Sequence, residues 1–118
     1  MLTLSEHLPI YLYLAPVDMR KSFNGLGGLI DEAQLDLLGG GLFVFVNRLK
    51  NRMKVLAFEG DGLAIWYKHL EAGRFQWPQV NGQATTQVKP SQLRMILDGI
   101  DWHKATQRKR YHHQRDCG

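Results

Sequence analysis

Basic residues recur at every second position of one short stretch, which contains Arg48, Lys50, Arg52 and Lys54. Side chains two residues apart point to the same side of an extended chain, so these four cations are predicted to share one side. A β-ribbon charged in this way can follow a phosphate backbone or enter a groove of DNA. The alternative is a solvated hairpin whose charges prevent pairing with other chains, and the residues alone favour this alternative.

Four further cations are candidates for contact with a polyanion. Arg20 and Lys21 are predicted to lie in the first turn of a helix, where a cation opposes the helix dipole and gains nothing locally. Lys68 and Arg74 lie among aromatic residues, and such a mixture can pair with phosphates and stack on bases. Nucleic-acid contact is therefore a hypothesis for all of these cations.

The aromatic residues Tyr67, Phe75 and Trp77 have two interpretations. Aromatic side chains in a small domain usually belong to the core, and we favour that assignment. If they are exposed instead, they would form an apolar patch for a protein partner.

Acidic residues and zinc-type ligands do not form a convincing catalytic or metal site. Asp18 is explained as a helix N-cap and Asp61, between two glycines, as a turn residue, which leaves Glu59 without a companion for a two-metal nuclease. A cluster of zinc-type ligands occurs near the C-terminus: His103, His112, His113 and Cys117. Their spacing does not match the paired ligands of zinc sites. We assign no catalytic residue and no metal ligand, and we expect no cofactor.

Hydropathy patterns indicate which elements position these residues. Residues 10–14 are apolar and aromatic and predict a buried strand. Asp18 is predicted to cap a helix whose apolar residues recur at helical spacing over positions 19–30. Glycines at positions 25, 27 and 28 weaken this helix, and they are tolerable if they let it pack closely on a sheet.

The central region predicts a β-hairpin. Residues 42–47 and 53–59 are strand-like runs joined by a short polar connection, so they are predicted to pair antiparallel. Residues 63–72 fit both helical and strand periodicity, and their length and residue types favour a third strand that ends in a helical turn near residues 70 and 71. A short edge strand is predicted to end at Val88, and a helix to begin at Pro90 and stop at Gly99.

Size and composition predict one small α+β domain in residues 1–102 and a basic, flexible tail in residues 103–118. The expected architecture is an antiparallel sheet of three to four strands with a central β-hairpin, packed against two short helices. Residues 101–118 carry +3 of the net charge of +4, so the folded part is nearly neutral. The chain has one cysteine, no apolar run long enough to span a bilayer and no recognisable signal peptide, which favours a cytoplasmic protein.

Several longer motifs resemble one protein family. They are Asp18-Met-Arg-Lys-Ser-Phe-Asn-Gly-Leu, Phe43-Val-Phe-Val-Asn-Arg, Lys54-Val-Leu, Gly60-Asp-Gly-Leu, the segment from Trp66 to Pro78 and the segment from Gln92 to Trp102. In order and spacing they resemble the TnpB accessory proteins, which are encoded by the second open reading frame of the insertion-sequence family sixty-six. The resemblance covers about residues 8–102.

This resemblance implies an accessory protein of a bacterial transposable element, needed for efficient transposition beside a separate, larger transposase. The expected partners are DNA, at element ends or elsewhere, and that transposase, while the oligomeric state is left open. A pure adaptor for the transposase without DNA contact is the alternative, and a small nuclease is a third hypothesis. Two departures stand out: Leu49-Lys50-Asn51 replaces the glycine-containing hairpin turn common in the family, and no family motif follows Trp102.

Overall fold

The computed structural model describes residues 7–79 and 81–99, which form five β-strands and two α-helices. In chain order the elements are β1 (Ile10–Tyr13), α1 (Phe23–Glu32), β2 (Leu42–Val46), β3 (Arg52–Phe58), β4 (Leu63–His69), β5 (Thr85–Val88) and α2 (Pro90–Leu97). Neither of these helices is long and apolar enough to cross a membrane. The predicted basic tail, residues 103–118, lies outside the described residues.

The strands form one mixed sheet in the order β4-β3-β2-β1-β5. β2, β3 and β4 are antiparallel neighbours, as the hairpin pattern predicts, and β5 pairs antiparallel with β1. β1 and β2 are parallel, with Ile10 opposite Leu42. The prediction of three to four antiparallel strands is therefore wrong in strand number and in this pairing. A parallel pair needs a long crossover between its strands, and α1 lies in that connection.

Apolar side chains cover both faces of the sheet. On one face the core consists of Ile10, Leu12, Leu42, Val44, Val46, Met53, Val55, Phe75, Val88 and the α2 residues Leu93 and Ile96. On the other face it consists of Val17, Phe43, Phe45, Leu56 and the α1 residues Leu26 and Ile30. All five residues of β2 are buried, because a central strand with a layer on each face has no exposed side.

Aromatic pairs join the two parallel strands on the α1 face. The rings of Tyr11 and Phe43 stack with centroids 5.3 Å apart, and those of Tyr13 and Phe45 lie 5.6 Å apart. Cross-strand aromatic contacts of this kind stabilise strand pairing beyond the area that they bury. They therefore favour this register for β1 and β2.

α1 begins later than the sequence predicts. Its N-cap is Ser22, whereas the carboxylate of Asp18 accepts a hydrogen bond from the backbone N–H of Arg20 at 2.9 Å. The prediction that Asp18 caps the helix is therefore wrong, since a local turn uses its acceptor. Arg20 and Lys21 consequently precede the helix and do not oppose its dipole from within the first turn.

The glycines of α1 do not bring the helix close to the sheet. A Cβ at Gly25 would lie 3.1 Å from the Lys21 side chain, and a Cβ at Gly27 would meet only Leu37, at 3.9 Å. A Cβ at Gly28 would meet nothing within 4 Å. The condition under which these glycines would be tolerable, close packing on the sheet through the missing side chains, is therefore not met at these positions.

The remaining elements agree largely with their sequence patterns. β4 confirms the predicted third strand, but residues 71–73 form bends and not a helical turn. β5 ends at Val88 and α2 begins at Pro90, as predicted. Gly99 follows the C-cap Asp98 with φ 75°, a left-handed conformation that ends helices and favours glycine.

Candidate nucleic-acid interface

One end of the sheet brings together the loops and strand ends that carry most of the Lys and Arg residues in the described part of the chain. The registers place the ends of β1, β2 and β4 and the starts of β3 and β5 at this end. We call this end the cationic edge. The sequence-predicted cations that it gathers are Arg20, Lys21, Arg48, Lys50, Arg52, Lys68 and Arg74.

The turn between β2 and β3 is built around the side chain of Asn47. Its Oδ1 accepts hydrogen bonds from the backbone N–H groups of Asn51 and Arg52, both at 3.0 Å, and its Nδ2 donates to Oδ1 of Asn51 at 2.8 Å. Lys50 donates its N–H to the Asn47 carbonyl at 3.0 Å. Asn47 is a residue that the sequence-based predictions missed, although an asparagine at the start of a turn commonly bonds the backbone that follows it.

Lys50 occupies the left-handed conformation that glycine supplies in many such turns, with φ 58°. A side chain in this conformation costs roughly 1–2 kcal/mol, which the hydrogen bonds of Asn47 offset. Arg48 and Lys50 therefore lie in a turn and not in extended chain. The prediction that four alternating cations share one side of a ribbon is wrong, because only Arg52 and Lys54 belong to β3.

The segment that follows β4 supports this turn from one side. The backbone N–H of Leu70 donates to the Asn51 carbonyl at 2.8 Å, and that of Phe75 donates to the Lys50 carbonyl at 2.7 Å. The Phe75 side chain is buried. These contacts place Arg74 beside the turn and keep Arg48 and Lys50 on a fixed backbone.

The loop between β1 and α1 lies along the other side of the turn. Val17 donates its N–H to the Val46 carbonyl at 2.8 Å, which fixes the loop at the end of β2. Arg20 Nη2 lies 2.7 Å from Asp18 Oδ2 in an exposed ion pair. Hydrogen bonds from the side chain and the backbone of Arg20 lower the pKa of Asp18 from 3.8 to about 2. Asp18 therefore stays ionised and orients the guanidinium.

A groove of about 360 Å³ lies between this loop and the turn. Its lining residues are Asp18, Met19, Arg20, Asn47, Leu49, Asn51 and Arg52. Two guanidinium groups thus share one groove with two amide side chains, and planar guanidinium groups match the geometry of phosphate oxygens. The arrangement is suited to a backbone phosphate, while Asp18 limits the local positive charge.

Lys54 differs from the other predicted cations because it is buried. Its Nζ donates a hydrogen bond to the Lys21 carbonyl at 2.7 Å and lies 5.1 Å from the centroid of the Tyr67 ring. These contacts fix the loop before α1 to the sheet. Met53 and Val55 point to the opposite face of β3, so the sequence around Lys54 carries no signal of this burial.

The predicted aromatic residues have different environments. Phe75 is buried, and Trp77 is half-buried with its indole N–H donating to the Tyr13 carbonyl at 3.2 Å. Tyr67 is 48% exposed, and its hydroxyl lies 3.4 Å from Nη1 of Arg52. The core assignment is confirmed for Phe75, holds in part for Trp77, which packs against the core, and is wrong for Tyr67. These three side chains therefore do not form one exposed apolar patch.

The acidic candidates do not converge. Asp18 lies at the cationic edge, whereas Glu59 and Asp61 belong to the turn between β3 and β4 at the opposite end of the sheet. Within residues 7–79 and 81–99, no group of three or more His, Cys, Asp or Glu side chains is arranged to hold a metal ion. The candidate ligands His103, His112, His113 and Cys117 lie outside the described residues.

Two proteins of known sequence are similar to this chain over most of its length. The uncharacterized protein y4hO of Sinorhizobium fredii is 36% identical over 103 residues, which cover 86% of this chain and 89% of that protein. The uncharacterized protein y4jC of the same organism is 33% identical over 99 residues, covering 83% and 84% of the two chains. No solved structure matches significantly.

The family described as IS66 Orf2 like protein matches residues 8–107. The match includes the motifs on which the resemblance depends, and it extends past Trp102 into a segment in which no family motif is recognisable by eye. It spans most of the 118 residues. The chain therefore belongs to the IS66 Orf2-like family.

Proposed function

We propose that this protein is a non-catalytic accessory protein of an insertion sequence and that it supports transposition by binding DNA through the cationic edge. The observation that carries the proposal is the grouping of cations at one end of the sheet. The described residues contain ten Lys/Arg and eight Asp/Glu, so their overall charge is small. A local surplus on a nearly neutral domain favours an oriented contact with a polyanion over a general attraction.

The proposed contact uses exposed cations on fixed backbone. Arg48 lies in the turn that Asn47 organises, and Arg52 follows that turn and lines one groove together with Arg20. Each phosphate that such a cation neutralises releases condensed counterions, so binding weakens as salt increases. Lys54 contributes indirectly, because it positions the loop that carries Arg20 and Lys21.

A salt-titrated binding measurement tests this proposal. Fluorescence anisotropy is measured on a duplex from the element end and on a shuffled duplex of equal length. A matched protein variant replaces the tail cations Lys104, Arg108, Lys109, Arg110 and Arg115 with Gln. Because the cationic edge is intact in this variant, we expect it to bind with a negative log–log salt slope. Loss of all binding in the tail variant would contradict the proposal.

The non-catalytic role is supported by the separation of Asp18 from Glu59 and Asp61. Phosphoryl transfer with two metals requires carboxylates that converge on both ions. We expect no nicking of supercoiled plasmid by the purified protein with Mg²⁺ or Mn²⁺. Nicking that Glu59→Gln abolishes would establish the nuclease hypothesis instead.

A pure adaptor that docks on the element-encoded transposase is the second candidate. It is favoured by exposed apolar residues on a part of the surface that carries no Lys or Arg. Binding of the isolated protein to duplex DNA at physiological salt would contradict a pure adaptor. Co-purification with the transposase from nuclease-treated lysate, without DNA binding, would support it.

A further inference from the structure

Three large apolar side chains that are exposed in the described part of the chain line one groove. Phe23 is 43% exposed, Leu38 is 66% exposed and Leu63 is 37% exposed. They surround a space of about 440 Å³ together with Leu37. Single exposed leucines are common on proteins, but several converging on one concave surface are typical of a contact site. We call this surface the α1 groove.

The α1 groove is open along the helix and acidic at its rim. Gly27 and Gly28 lie along it, and a Cβ at Gly28 would meet nothing within 4 Å. Asp31 and Asp36 are exposed and also line it, whereas no Lys or Arg does. The groove therefore offers apolar contact along a backbone without side chains, beside two negative charges.

We propose that the α1 groove docks a short amphipathic helix of a partner protein, with apolar anchors on one face and Lys or Arg beside them. An amphipathic helix in an apolar groove uses anchors at positions i, i+3 or i+4, and basic flanks would complement Asp31 and Asp36. The acidic rim opposes DNA. The α1 groove shares no lining residue with the groove of the cationic edge, so the inference does not rest on DNA binding.

Two other occupants fit the groove less well. Residues 103–118 contain five Lys/Arg but no apolar residues at helical spacing, so they lack anchors for Phe23 and Leu38. A second copy of this chain docking through the same groove would place Asp31 and Asp36 near their own equivalents, because the contact in a twofold dimer is self-complementary. Like charges facing each other oppose such a dimer.

The test uses a fluorescein-labelled synthetic helix of Leu, Lys and Ala, with its leucines on one face and lysines beside them. A peptide of the same composition with dispersed leucines is the first control, and one with Glu in place of Lys is the second. We expect fluorescence anisotropy to show binding of the basic amphipathic peptide in the absence of DNA. Equal binding of either control peptide, or no binding of the first peptide, would overturn the proposal.

Variants of the full chain locate the contact. Phe23→Ser with Leu38→Ser should weaken peptide binding about tenfold or more, since buried apolar anchors dominate such contacts. Leu49→Ser is the matched control, because Leu49 is 63% exposed but lies at the cationic edge, and it should leave peptide binding unchanged. Equal losses in the two proteins would show non-specific adsorption and overturn the assignment to the α1 groove.

The acidic rim and the alternative occupants are tested separately. Asp31→Asn with Asp36→Asn should reduce peptide affinity severalfold and flatten its dependence on salt. A dimer in sedimentation that Phe23→Ser with Leu38→Ser abolishes would identify a second copy as the occupant and overturn the proposal. Peptide affinity that rises when the tail cations are replaced with Gln, at a salt concentration that screens long-range repulsion, would identify the tail as the occupant and also overturn the proposal. The variants of the α1 groove should bind DNA with wild-type affinity. A failure of peptide docking is therefore distinguishable from a failure of DNA binding at the cationic edge.

Discussion

At the scale of single residues, the side chains of Asn47 and Lys54 stabilise the cationic edge through hydrogen bonds within the protein. Asn47 replaces missing backbone hydrogen bonds in the turn between β2 and β3. Lys54 connects β3 to the loop before α1 through the Lys21 carbonyl. The positions of exposed cations such as Arg48 and Arg52 therefore depend on Asn47 and Lys54, which present no charge at the surface. Substitution of the supporting residues should lower stability, whereas substitution of the exposed cations should weaken DNA binding.

Asn47→Ala should destabilise the protein by roughly 1–3 kcal/mol, because it leaves the N–H groups of Asn51 and Arg52 without their acceptor. Urea denaturation followed by circular dichroism measures the change. Asn81→Ala is the control, since the Asn81 side chain accepts only one exposed local bond, from Gln83 at 3.2 Å. If both variants lose equal stability, Asn47 does not organise the turn.

Lys54→Met should lower stability by about 1–3 kcal/mol while leaving the salt slope of DNA binding unchanged, because it keeps the aliphatic stem but removes a buried hydrogen bond and a cation–π contact. Arg52→Gln should instead reduce the magnitude of the salt slope and leave stability nearly unchanged, because the Arg52 side chain is exposed. Denaturation and salt titration of both proteins check this. A reduced salt slope in Lys54→Met with unchanged stability would place Lys54 in the interface and contradict its structural role.

The Asp18–Arg20 pair predicts a low carboxyl pKa. The pKa of Asp18 is lowered from 3.8 to about 2, chiefly by the side-chain hydrogen bond from Arg20. A carboxyl with a lowered folded pKa contributes stability above its unfolded pKa and loses it as pH falls toward the folded value. NMR titration should give a midpoint near 2 in the wild type and a value closer to 3.8 in Arg20→Gln. An ordinary midpoint in the wild type would contradict the ion pair.

At the scale of elements, α1 has an unusual balance between packing and propensity. Leu26 and Ile30 bury its inner face, while its glycines lower its intrinsic stability and a Cβ added at any of them would meet no sheet residue within 4 Å. Most helix stability in proteins comes from the buried face. The glycines are therefore available for substitution wherever space permits.

Gly28→Ala should stabilise the protein by roughly 0.5–1 kcal/mol, because the new Cβ has open space and the unfolded chain loses freedom. Gly25→Ala should give less, since its Cβ would lie 3.1 Å from the Lys21 side chain. Thermal and urea unfolding compare the two. A destabilised Gly28→Ala protein would show that the space seen beside Gly28 is not open.

The sequence patterns were informative where structure is local. The runs 42–47 and 53–59 predicted β2 and β3 well, because two buried strands joined by a short polar turn have few other arrangements. The start of α1 was missed, since Asp18 is a good cap by type but bonds Arg20 instead. The parallel pairing of β1 with β2 and the burial of Lys54 depend on contacts distant in sequence, which neither periodicity nor spacing reveals.

At the scale of the whole molecule, charge is divided between two ends. Within residues 7–79 and 81–99 the cationic edge gathers most of the Lys and Arg side chains, while Glu59 and Asp61 lie at the opposite end of the sheet and Asp31 and Asp36 line the α1 groove. A domain polarised in this way can orient toward a polyanion and present another surface to a protein partner. Both proposals use this division, but each uses a different surface.

The salt dependence of DNA binding by two matched double variants tests the central claim most directly. Arg48→Gln with Arg52→Gln removes two charges from the cationic edge. Lys89→Gln with Arg94→Gln removes two exposed charges elsewhere, one at the N-cap of α2 and one inside that helix. If each of these two arginines contacts one phosphate, the slope of log binding constant against log salt concentration should be less negative in the edge variant by roughly 1.8, at about 0.9 per phosphate. The α2 variant should keep the wild-type slope. Equal slopes in the wild type and the edge variant, or an equal reduction in both variants, would contradict a DNA interface at the cationic edge.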